Sequence, residues 1–262
     1  MIRAVRPLLS RAPQPSFDVA SLTDKGLMRS DNQDNLTIVP QSLAFCVADG
    51  VGGGDGGALA SAMLCEEMSA AAKSARNFMD RLRACDDAAR TAHAKIADYA
   101  ARAGYRRAMG TTMALLLIDP GRVEPGGWRP AAVAHIGDSR VYRWRAGILE
   151  LLTRDHTLEE ELLNGTLATD GKDGRRSEMA HMLTRAIGPG DWIGPDWKKV
   201  DARPGDGFLV CSDGLHDMMS DSRILSSFEA GGSSRVIVSR LESAILAAGA
   251  ADNYSMIVVR VL

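Results

Sequence analysis

No stretch of this 262-residue chain approaches the roughly 18 consecutive apolar residues that a membrane span requires. Cysteine is scarce. The four thiols, Cys46, Cys65, Cys85 and Cys211, make no C-x-x-C pair and have no ligand-like spacing, so they read as small core residues in a reducing compartment. Aromatic residues make up only 5%, which argues against base-stacking surfaces. There is no basic block and the net charge is -2, so the electrostatic case for nucleic acid is weak. The opening, "MIRAVRPLLSRAPQPS", is basic but lacks a sustained apolar run and a small-residue cleavage site. Residues 1–15 are therefore expected to be a flexible tail rather than a signal peptide, which points to the cytoplasm.

What is present is enough apolar sequence, 45% of the chain, to bury one substantial core over residues 16–262. Strands are expected in "SFDVASLTD", "LTIV", "SLAFCVAD", "TTMALLLID", "PAAVAHIGD", "RVYRWRAG", "ILELLT", "DGFLVCSDG" and "YSMIVVRVL". An alanine-rich stretch from 58 to 103 has apolar spacing near 3.6 and splits into two helices around 77–80. Two further helices are expected near 221–229 and 233–248. Residues 154–197 are polar and contain Gly and Asp, and read as a flap over a site, with two short helices. Strands in runs, with helices set apart from them, indicate α+β rather than alternating βαβ units.

"FCVADGVGGGDGG" (45–57) contains G-x-G-x-x-G at Gly52, Gly54 and Gly57. Asp49 and Asp55 would set negative charge beside a pyrophosphate, and no Gly-Lys-Ser/Thr follows, so the dinucleotide and P-loop readings both fail. The informative residue is Asp49 itself. Four strand-like segments meet an acid: Asp49 in "FCVADG", Asp138 in "VAHIGDSR", Asp213 in "FLVCSDG" and Asp252 in "AADNYSMIVV", with Asp34 ahead of "LTIV". A single Asp-Gly at a strand end is an ordinary turn signal. Together, such carboxylates repel one another, and a divalent cation is the usual relief. Oxygen donors favour Mg²⁺ or Mn²⁺, and no His or Cys cluster accompanies the acids to suit Zn²⁺.

The chain resembles the metal-dependent Ser/Thr protein phosphatases (PPM, type 2C-like) in their bacterial form. The matching segments, in the family's order, are "GLMRSDNQDN", "VADGVGG", "GTT", "HIGDSRVY", "LTRDHT", "LTRAIG", "LVCSDGLHD" and "DNYSMIVV". The resemblance implies a four-layer α-β-β-α sandwich: two antiparallel sheets flanked by helices, with a two-metal site at one end. It makes Asp49 the bridging ligand of two Mn²⁺ or Mg²⁺ ions and Gly50 a carbonyl ligand of the first. Asp213 and Asp252 hold the second ion, and Asp138 with Asp213 matches a third, weaker site. Arg29 matches the arginine that holds the substrate phosphate, and Asp34 the acid near the metal-bound waters. Asn253 is expected to orient Asp252, and Asp217 to fix the loop after Asp213. The implied reaction is hydrolysis of phosphoserine and phosphothreonine by direct attack of water, with no phosphoenzyme. The implied partners are phosphorylated proteins, a bacterial Ser/Thr kinase or its targets, met by a monomer.

Three positions depart from the family. Gln33 replaces a glutamate ligand of some members. Val51 replaces a histidine proposed as general acid in eukaryotic members, which leaves water as the default proton donor. Gly54 replaces a histidine frequent in bacterial members. Thr111 and Thr112 read as packing residues, and His156 as the cap of a turn. Two rival readings remain open: a non-catalytic relative that binds phosphoproteins, and a metal phosphatase for small phosphoesters.

Overall fold

The computed structural model describes residues 16–52, 55–105, 109–163 and 182–262. The expected tail at 1–15, Gly54 and the charged run "GKDGRRSE" at 171–178 lie outside the described residues. One sheet runs, in spatial order, β1 (Phe17–Asp24), β12 (Tyr254–Val261), β11 (Gly207–Cys211), β8 (Arg140–Arg145) and β9 (Ile148–Leu151). The second runs β10 (Asp196–Ala202), β7 (Arg129–Ile136), β6 (Met113–Ile118), β3 (Ala44–Ala48) and β2 (Asn35–Val39). Every pairing is antiparallel. A short ladder joins β4 (Gly50–Val51) to β5 (Gly110–Thr111).

Strand periodicity builds the layers. Along β3, Ala44, Cys46 and Ala48 face one way while Phe45 and Val47 face the other. Along β6, Met113, Leu115 and Leu117 oppose Ala114, Leu116 and Ile118. The first set of each packs on α1 (Asp55–Ser74) and α2 (Phe78–Ala103); the second meets Phe208, Val210, Ile257 and Val259 of the other sheet. The opposite face of that sheet, with Leu209, Cys211, Met256 and Val258, packs on α5 (Asp221–Glu229) and α6 (Ser234–Ala247). Strands buried on both faces read as unbroken apolar runs, which is why "AFCVA" and "FLVC" carry no polar alternation. The architecture is the expected α+β sandwich of two antiparallel sheets between helix pairs. All four cysteines are buried and free.

The helix boundary near 77–80 has a local cause: Asn77 caps α2, its side chain accepting the Asp80 N–H at 2.9 Å. Two differences from the sequence reading stand out. Residues 196–202 form the edge strand β10, so the last two positions of the anticipated flap belong to a sheet. Asp196–Lys199 are exposed whichever face they occupy, so no apolar alternation marked the strand. "TTMALLLID" is also not one strand: it breaks at Thr112 between β5 and β6. Of the flap itself, α3 (Leu158–Leu163) is a short helix. Segment 182–195 is stitched to the core by bridges from Leu183 to Thr157 and from Ile187 to Thr111.

Candidate functional site

Strand direction decides where the acids meet. β3 and β7 both pair antiparallel to β6, so their C-terminal ends lie on the same side of the sheet. In the other sheet, Cys211 at the end of β11 pairs with Met256 near the start of β12. Asp49, Asp138, Asp213 and Asp252 therefore emerge at one end of the sandwich. They line a single cleft of about 430 Å³ together with Arg29 and Gly50.

Asp49 is held through its backbone. Its N–H donates to Thr112 Oγ1 at 2.9 Å, and its carbonyl accepts from Thr112 N (2.8 Å) and Thr111 Oγ1 (2.9 Å). Thr112 Oγ1 also meets Ser139 Oγ at 2.6 Å. The strand break at Thr112 thus turns two threonines toward the site, where they position the central carboxylate; packing alone was expected of them. Gly50 N donates to Gln33 O at 3.2 Å, and any side chain at Gly50 would overlap the Gly57 carbonyl. Asp213 opens the short helix α4 (Asp213–His216), where Gly214 passes so close to Asn253 that a Cβ would overlap its carbonyl oxygen.

The remaining expected residues divide. Asp34 does not line the cleft; it is buried beneath it, accepting from Ser212 Oγ at 2.6 Å, while Ser212 Oγ accepts the Ser255 N–H at 2.9 Å. Asn253 uses its side chain differently from expectation. Its amide oxygen accepts Gln33 N (2.9 Å), and its Nδ2 donates to Lys25 O (2.9 Å) and Asp31 O (2.8 Å), which knots the loop that carries Arg29. Only its backbone N–H reaches the Asp252 carboxylate, at 2.7 Å. Asp217 N donates to Asp213 O at 2.8 Å, which closes the turn after Asp213. Arg29 and Asp252 pair directly at 2.6 Å. Asp31, Gln33 and Leu183 also line the cleft; Asp31 and Leu183 fall within segments that resemble the family, but nothing in the sequence gave either a role.

Burial and mutual repulsion govern the electrostatics. Burial, then the neighbouring charges of Asp34 and Asp213, push the Asp49 carboxyl well above the ordinary range. Burial also raises Asp213, and it lifts Asp34 and Asp138 to about 7. Asp252 holds Arg29 firmly charged. The Oδ1 atoms of Asp34 and Asp213 are buried without a hydrogen-bond partner. Orphaned carboxylate oxygens among repelling acids are what a hard divalent cation satisfies, and the donor set is all oxygen.

A second cluster lies apart from this cleft. His135, His156 and Asp196 each place a ligand atom within 4.8 Å of the others. The Arg185 guanidinium already sits among them, 2.8 Å from His156 Nε2 and 2.9 Å from Asp196 Oδ1. His156 is a stitch rather than a simple turn cap: its Nδ1 accepts the Gly137 N–H at 3.1 Å, beside Asp138, and its carbonyl accepts the Thr184 N–H.

A sequence profile described as Protein phosphatase 2C matches residues 23–245. The chain belongs to the protein phosphatase 2C family. It is 30% identical over 243 residues to the serine/threonine protein phosphatase PstP of Mycobacterium tuberculosis, a match covering 93% of this chain and 45% of PstP. The chain thus spans about half the length of that relative. It is 31% identical over 219 residues to the protein phosphatase PhpP of Streptococcus pneumoniae, covering 79% of this chain and 82% of PhpP. The solved catalytic domain of PstP in complex with two manganese ions superposes with a TM-score of 0.78 at 29% identity, covering 94% of this chain and 98% of that one. This 2C-family chain thus shares the fold of that domain.

Proposed function

We propose that the chain is a metal-dependent protein-serine/threonine phosphatase that hydrolyses phosphoserine and phosphothreonine by direct attack of water. The observation that carries this reading is the meeting of Asp49, Asp138, Asp213 and Asp252 with Arg29 in one cleft of a 2C-family chain. The cleft fits two Mn²⁺ or Mg²⁺ ions. Asp49 and the Gly50 carbonyl would hold the first, and Asp49, Asp213 and Asp252 the second; Asp138 with Asp213 suits a third, weaker one. When bound, such ions lower the pKa of water and offset phosphoryl charge.

The chain's own residues supply positioning. Thr111, Thr112 and Ser139 keep Asp49 in place without adding charge. Arg29, on a loop knotted by Asn253, offers a planar fork suited to phosphate oxygens. Asp34, buried beneath the cleft and accepting from Ser212 Oγ, is placed to hold or release a proton there. No cysteine lines the cleft, so no thiol nucleophile is at hand.

A protein substrate is favoured over a small phosphoester by what adjoins the cleft. A groove of about 850 Å³, with Ile136, Pro189, Trp192 and Ile193 in its walls, shares Val51, Gly52 and Leu183 with it. A chain entering with its phosphorylated residue at Arg29 has apolar surface on which to lay its neighbours. The four buried thiols suit a reducing cytoplasm, and among the described residues no helix is long and apolar enough to cross a membrane. There the enzyme would act as a monomer, reversing a bacterial Ser/Thr kinase.

Turnover of a phosphothreonine peptide and of p-nitrophenyl phosphate, with Mn²⁺ and with excess EDTA, tests this. Mn²⁺-dependent hydrolysis with a clear preference for the peptide is expected. Activity that survives EDTA would overturn the metal mechanism, and equal turnover of the two would point to small phosphoesters. No hydrolysis at all would leave the non-catalytic reading.

A further inference from the structure

On the far helix layer, α5 and α6 enclose a groove of about 710 Å³ that shares no residue with the acidic cleft. Arg223, Ser226 and Ser227 line it from α5, and Arg235, Ser239 and Arg240 from α6; no carboxylate lines it. Arg240 is committed to the fold: its guanidinium donates to Ser227 O at 3.2 Å, to Gly231 O, and to Ala230 O at 3.4 Å, which caps the C-terminal end of α5. The side chains of Arg223 and Arg235 are exposed and have neither ion pair nor hydrogen bond among the described residues. Arg76 is likewise exposed and unpaired, and Arg90 meets only the Trp192 ring, but most other guanidinium groups are committed. Arg122, Arg140, Arg143, Arg145, Arg154 and Arg203 each pair with an Asp or Glu.

The serines reinforce the pattern. Ser226 and Ser227 Oγ donate to carbonyls four residues back, at 2.8 and 3.1 Å, so they add no competing charge. Small side chains keep the groove open, and two guanidinium groups stand over it without acceptors. Each offers a planar fork matched to a carboxylate. From Arg235 to Ala244 the α6 wall runs about 13 Å at 1.5 Å per residue. About four residues of extended chain would span it.

We propose that this groove docks an Asp/Glu-rich segment of a partner protein, at a site separate from the acidic cleft. Nucleic acid fits it poorly, since no aromatic side chain lines the groove on which a base could stack. A membrane fits it poorly too, since Val236 and Ala244 are its only aliphatic walls.

The test is fluorescence anisotropy of a labelled octaglutamate peptide against the intact chain, the Arg223→Glu/Arg235→Glu double variant, and Ser239→Asp. Binding is expected to weaken with added salt, and at least ten-fold in the double variant; Ser239→Asp should weaken it in the same direction. Turnover of p-nitrophenyl phosphate should be unchanged in both, because no groove residue touches the cleft, so loss of docking and loss of catalysis read separately. Absent binding, equal affinity for both chains, or tighter binding of a 24-base-pair duplex or of phosphatidylserine vesicles would overturn the proposal.

Discussion

Replacing Asp213 by Asn should move stability in opposite directions with and without metal. In the metal-free protein Asp213 is a buried acid whose Oδ1 lacks a partner and whose neighbours Asp49, Asp138 and Asp252 carry the same sign. Two unit charges 4–6 Å apart at an effective dielectric near 20 repel by about 3–4 kcal/mol. Proton uptake by the raised acids removes much of that, which leaves roughly 1–3 kcal/mol to be recovered by an amide, one that can also donate to Asp49. At roughly 2–4 °C per kcal/mol for a chain of this size, the metal-free Tm should rise by several degrees. With Mn²⁺ the order reverses. Ligand at 100 times its Kd stabilises the native state by about 2.7 kcal/mol, and the variant, short of one charged ligand, should gain less than about 1 kcal/mol. Differential scanning fluorimetry across a Mn²⁺ titration, with EDTA-treated protein as the origin, measures both limbs. A metal-free variant that melts below the parent, or a variant with an undiminished Mn²⁺-induced rise, would show that Asp213 is not part of a repelling, metal-relieved cluster.

Arg29→Ala should raise KM for a phosphopeptide about ten-fold or more while changing kcat less, since its fork positions phosphate; an unchanged KM in steady-state kinetics would place the phosphate elsewhere. Gly214→Ala should lower both Tm and Mn²⁺ affinity, because the new Cβ pushes on the Asn253 backbone and so on Asp252 and the Arg29 loop; calorimetry showing parental Mn²⁺ affinity would contradict that linkage. His156 is buried against His135, Arg185 and Asp196, and burial first, then the two cationic neighbours, lower its pKa from 6.5 to about 4. A base with a depressed folded pKa contributes stability above its unfolded pKa that is lost as pH falls, here between about 6.5 and 4, up to about 3 kcal/mol. His156→Gln should flatten that limb of the urea-unfolding profile, and an identical slope in both proteins would refute it.

The α+β sandwich was readable because two-faced burial makes apolar strands and the helices separate cleanly from them; "AFCVA" and "FLVC" could hardly be anything but central strands. The edge strand β10 was not readable, since its first four residues are exposed on both faces and its Lys198-Lys199 pair looks like loop. The acids at strand ends could be named from their spacing and from the family resemblance, because rigid strands end where the chain says they end. What spacing could not supply was the direction of approach. Asp34 turned out to lie under the cleft, Asn253 ties a loop by its side chain, and Thr111 and Thr112 hold Asp49 only because the strand breaks between β5 and β6.

Local sequence alone determined the central strands, the helices and the acids at strand ends, since burial periodicity, capping and turn chemistry act within a few residues. Tertiary structure alone decided that carboxylates more than two hundred positions apart share one low-dielectric cleft, and that two arginines on neighbouring helices stand unpaired. Coulomb energies depend on distance through space, and a linear chain does not record that distance until its sheets have packed.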